Sequence, residues 1–142
     1  MNDRDIYNKF PAIFRDKLLS GEIYFPKDTM FEYEPVLVYR AVERVEEDNT
    51  PVSRKDFMSY AELKKKPPRG KKYDKTSPNY YGVSSYLERE MVELNMHFPN
   101  PNKKMAKGYV YQQGGPQQTN ADTQHVCWWL YEDADLSGFE LA

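Results

Sequence analysis

Arg40 is the first residue whose type and setting point to chemistry. It lies in Val36-Leu37-Val38-Tyr39-Arg40-Ala41-Val42, a run rich in β-branched and aromatic residues that reads as a strand. Alternation puts Val36, Val38, Arg40 and Val42 on one face, and Leu37, Tyr39 and Ala41 on the other. Both faces are largely apolar, so a central strand is expected, with Arg40 aimed at a covered surface. A charge in that position calls for a carboxylate or an anionic ligand. The same residue can therefore fix core geometry through an ion pair or clamp a phosphate bidentately.

His125 and Cys127 form the second pair. As neighbours at i and i+2 they share a strand face, which would suit a thiol nucleophile and its base. The tryptophan after Cys127 argues instead for a buried, inert thiol. Trp128 and Trp129 split across that strand, one ring anchoring the core and the other available to a pocket; Trp129 and Tyr131 would stack on a nucleotide base. One cysteine and two histidines exclude a disulfide framework and a four-ligand zinc site, so no metal site is expected. Glu132-Asp133-Ala134-Asp135 lacks the spacing of a calcium loop.

The elements that must position these residues are short. Ile6, Tyr7, Phe10, Ile13, Phe14, Leu18 and Leu19 recur at helical spacing, Pro11 separates two helices, and Gly21 stops the second. Residues 1–35 are expected to pack on the main sheet as a helical and irregular segment. Ser53 and Asp56 have capping-box spacing before a short helix carrying Phe57, Tyr60, Ala61 and Leu63. Residues 80–84 read as a strand that opens into a helix at Ser85, capped with Glu88, whose inner face is Leu87, Met91 and Leu94. Residues 107–111 and 125–131 read as strands, 138–141 as a last one, and the polar 117–124 as a loop. The expected class is α+β over 1–142: one domain, a mixed or mostly antiparallel sheet, and two to four short helices packed on it.

An early strand ending in Tyr39-Arg40, a middle strand ending in Tyr81-Gly82-Val83-Ser84, and acidic residues further on together resemble the ADP-ribosyltransferase-like superfamily, including its small Arg-Glu-Ser toxin domains. The resemblance covers residues 36–93 at scattered positions. It implies NAD as cofactor, with Arg40 holding its phosphates and Tyr81 or Ser84 shaping the nicotinamide pocket. Glu88 or Glu90 would be the catalytic acid by analogy with the toxin domains, and Glu132 by analogy with the transferases. The chain has no Ser-Thr-Ser triplet and no Glu-x-Glu or Gln-x-Glu pair near its last strands.

Composition sets the outer bounds. The 142 residues include 12 tyrosines among 15% aromatics, which argues for a folded chain despite a mean hydropathy of −0.88. The net charge of −2 conceals a contrast: residues 64–75 hold seven basic residues against one acid, leaving −8 on the rest. The basic, Pro- and Gly-containing stretch 64–79 is expected as a flexible loop. Nucleic-acid contact through 64–75 is the weaker reading, because the pI of about 5.7 reflects an acidic body. The alternative to a nucleotide pocket is a non-catalytic module that meets a protein partner through its tyrosines and this loop. No apolar run approaches the ~20 residues of a membrane span, and a cytoplasmic protein is expected.

Overall fold

A computed structural model describes residues 3–64 and 76–142. Its centre is a six-stranded, open, antiparallel sheet, and the domain is α+β. The strands are β1 (Val36–Glu43), β2 (Val83–Tyr86), β3 (Lys103–Val110), β4 (Gln117–Asn120), β5 (His125–Trp128) and β6 (Glu140–Leu141), in the order β4-β5-β2-β1-β3-β6. β1 is central, as its two apolar faces require. It pairs with β3 along its whole length, from Val36↔Val110 to Glu43↔Lys103. With β2 the recorded register is the single pair Tyr39↔Tyr86.

The sheet separates two apolar layers. On one face Val38, Val42, Val83, Val126 and Trp128 pack under Phe57, Leu136 and Phe139. The other face carries two clusters. Near β5, Cys127 and Trp129 cluster with Phe14 and Leu18 of α2 (Ala12–Ser20) and with Phe10 of the turn before it, and Ile6 and Tyr7 of α1 (Asp3–Tyr7) pack against them. Near β1, Ala41 and Met105 with Tyr86 are covered by Val92 of α3 (Arg89–Asn95). The N-terminal segment thus packs on the sheet. Pro11 divides its two helices, and Gly21 ends α2 at φ 78°, donating its amide to the carbonyl of Leu18.

Several local expectations are corrected. Residues 78–81 form a 3₁₀ turn rather than strand, and β2 runs on to Tyr86. Ser85 is a strand residue paired with Val126, so α3 begins at Arg89 with Glu88 in the capping position. Ladder pairing there overrides the local capping signal. The inner residue of α3 is Val92, while Leu94 is 75% exposed. The helix expected after Ser53 is a single 3₁₀ turn, Arg54–Asp56. Asp56 does accept the Ser53 amide at 3.0 Å, but Phe57 then turns into the core, and Ser59 and Glu62 close a separate turn with reciprocal bonds of 3.1 and 3.2 Å. The polar 117–124 stretch supplies β4, an edge strand paired with β5 from Gln117↔Trp128 to Asn120↔His125. The last long strand ends at Trp128; beyond it, the Trp129 and Tyr131 amides bond to the carbonyls of Pro116 and Gly114. Of the basic stretch, residues 65–75 lie outside the described residues.

Candidate functional site

A cleft of about 560 Å³ lies beside β1 and β2 and draws its lining from residues of both sheet faces. Ala41, Ser84 and Tyr86 lie along the sheet side of it. Met58, Ser59 and Tyr60 line it from the segment after the 3₁₀ turn, and Met96 and His97 from the end of α3. Charged residues complete the lining: Arg40, Glu43, Arg44, Lys55, Asp56 and Lys103 among them.

Arg40 and Arg44 leave the same face of the chain, yet their surroundings differ. Arg44 is bonded to Asp56 through both carboxylate oxygens, at 3.1 and 2.7 Å. It also donates to Asp48 and to the side chain and carbonyl of Thr50. These carboxylates hold its guanidinium above the usual range, the Asp56 hydrogen bond contributing most. Arg40 has no such partner: among the described residues it forms no ion pair. Its Nε donates to the Asp56 carbonyl at 3.3 Å and its Nη1 to the Ser84 carbonyl at 2.6 Å, and the guanidinium lies 5.4 Å from the centre of the Phe57 ring. Burial is the main effect on it and pushes its pKa down to about 10, against opposing attraction from Tyr60, Asp56 and Glu43. It remains a cation at neutral pH. The arginine thus meets two backbone dipoles and an aromatic face rather than a carboxylate, the first of the two partners expected for it, and it lines an open cleft.

The other residues singled out from the sequence lie in several places. Ser84 shares the cleft with Arg40, and its Oγ is 2.8 Å from His125 Nε2. Tyr81 lines a separate pocket of about 370 Å³ with Lys17 and Glu22, and its ring stacks on Phe14 at 5.0 Å. Trp129 is fully buried, its indole N–H donating to the Pro78 carbonyl at 2.9 Å. Glu88 and Glu90 are exposed at the start of α3, and Glu132 is exposed where its amide meets the Lys9 carbonyl at 2.8 Å. None of these three glutamates lines either pocket. Cys127 is buried, and burial pushes its thiol up, as expected for an inert core residue.

Tyr60, Tyr86, Glu43 and Lys103 line the cleft without having been singled out from the sequence. Tyr86 was accessible to that reading, since it follows Ser84 by the strand period of two. Tyr60 was read only as core. Its proximity to Arg40 and Tyr86 shows in their ionisation, which it perturbs in both cases after burial. Of the described tyrosines only Tyr24 and Tyr109 are exposed. Among the described residues no cluster of histidine, cysteine and carboxylate side chains is arranged to hold a metal ion, and no helix is long and apolar enough to cross a membrane. Set beside protein-family models, curated proteins and solved structures, the chain matches none of them.

Proposed function

We propose that the protein binds a phosphate-bearing nucleotide in this cleft, with Arg40 as the anion clamp. One observation carries the reading: a desolvated guanidinium, bonded to carbonyls and facing a ring, lines an open cleft while its neighbour Arg44 is fully engaged by carboxylates. A cation in that state gains a charge-assisted partner when an anion enters, without giving one up. Tyr60 and Tyr86 offer aromatic surface for a planar ring beside it. NAD is the nucleotide that the resemblance to ADP-ribosyltransferases selects. The glutamates which that resemblance assigns to glycosidic cleavage stand away from the cleft, so the proposal is one of binding. Among the described residues Tyr24 and Tyr109 are the exposed tyrosines on which the interaction-module alternative would draw.

Calorimetric titration of the wild type and of Arg40→Ala with NAD, ADP and adenosine tests this. Loss of a charge-assisted contact worth about 1.5–3 kcal/mol lowers NAD and ADP affinity about 10- to 150-fold. Adenosine, which lacks phosphate, loses far less. Absence of NAD and ADP binding by the wild type, or equal affinity in a folded Arg40→Ala variant, overturns the reading.

A further inference from the structure

Paired strands here bring an imidazole against a hydroxyl that lines the cleft. Ser84 faces Cys127 in the β2–β5 register, and His125 faces Tyr86, so Ser84 and His125 are diagonal neighbours on one face. Their side chains meet: Ser84 Oγ to His125 Nε2 is 2.8 Å. The imidazole stands edge-on to the Tyr86 ring at 5.3 Å, which restrains its orientation. Both residues are only partly buried, and Ser84 and Tyr86 line the cleft. Sequence spacing pairs His125 with Cys127, but that thiol is buried in the cluster beneath α2, and the imidazole instead meets Ser84.

We infer that Ser84 and His125 form a nucleophile–base pair able to open small carboxylic esters that enter the cleft. The hydroxyl donates to Nε2 when the imidazole is neutral with its proton on Nδ1. As Ser84 Oγ bonds the ester carbonyl carbon, its proton passes to Nε2. The carbon–oxygen bond to the alcohol then breaks, and the departing oxygen takes that proton. Water attacks the acyl-serine, gives its proton to Nε2, and the proton returns to Ser84 Oγ as the acid leaves. The sum is ester plus water to acid plus alcohol, with no other reactant. Arg40 donates to the carbonyl of Ser84 at 2.6 Å and so fixes the backbone that carries the hydroxyl. The chemistry uses the cleft of the nucleotide reading but needs no nucleotide.

Incubating the full chain with a fluorophosphonate, then mapping the adduct by peptide mass spectrometry, tests the inference in the wild type without any substitution. Label on Ser84 is expected, together with release of p-nitrophenol from p-nitrophenyl acetate. His125→Asn, checked for folding by circular dichroism, slows labelling at least ~100-fold, the usual contribution of a positioned base. An unlabelled Ser84, or labelling as fast in folded His125→Asn, would overturn it. A fluorophosphonate carries no nucleotide, so the outcome is separable from the NAD titration.

Discussion

Asp56 serves two arginines with two different groups. Its carboxylate takes Arg44, while its backbone carbonyl takes Arg40. The Arg44 and Asp56 side chains are 2% and 5% exposed, so removing either strands a buried charge. Arg44→Ala is therefore expected to cost about 3–5 kcal/mol, read as a shift in the urea midpoint. A shift below about 1 kcal/mol, the range of surface pairs, would show that the pair is not structural. The special status of Arg40 was legible in the sequence, because strand alternation places it among valines. Its partners were not, since backbone carbonyls leave no mark in side-chain identity. Arg44 escaped notice for a simpler reason: it lies just beyond the end of β1, outside the alternating run.

At the scale of elements, the glycines show how differently two turns are built. Gly21 sits in the left-handed region with open space where a side chain would grow. Alanine there costs about 1–2 kcal/mol, the ordinary penalty of that conformation. Gly115 has φ 134° and ψ 165°, a region open essentially to glycine alone. A Cβ at that position would also lie 2.0 Å from the Trp129 carbonyl oxygen. Gly115→Ala is expected to lose the cooperative thermal transition and near-ultraviolet dichroism, whereas Gly21→Ala keeps both with a lower melting temperature. Similar mild destabilisation of the two would contradict this account. Periodicity made β1, the second half of β3 and the break at Pro11 readable. It failed for β4 because Gln117-Gln118-Thr119-Asn120 has no apolar alternation; the strand is held by the ladder to β5 and by the Met30↔Gln117 bridge. The start of α3 was misplaced because Ser85 matches a cap locally, while the register to β5 makes it strand.

For the molecule as a whole, acid is the condition that engages several groups together. Hydrogen bonds from Thr50 hold Asp48 below the ordinary carboxylate value, Lys17 does so for Glu22, and Ser137 for Asp135. Each folded-state value is depressed, so the native state binds fewer protons than the unfolded chain in acid. The stabilisation is complete above the ordinary values of 3.8 and 4.5 and is lost as pH falls through the lower folded values. Urea midpoints should stay level, as far as these groups decide them, from pH 8 to about 6 and fall below about 4. A midpoint unchanged at pH 3 would contradict the assignment. The α+β class and the sheet with helices packed on it were readable from the mixture of periodicities. The cleft was not, because its lining comes from β1, β2, the segment after Ser53 and the end of α3, which only the folded sheet brings together. The adjacent tryptophans bear on how such a structure comes apart. Trp128 is rooted in one layer, with its indole N–H on the Gly115 carbonyl, and Trp129 in the other, on that of Pro78. A single peptide bond thus rivets the layers together, and loosening one drags the anchor of the other. Melting should be concerted, and both indoles should report the same transition in intrinsic fluorescence.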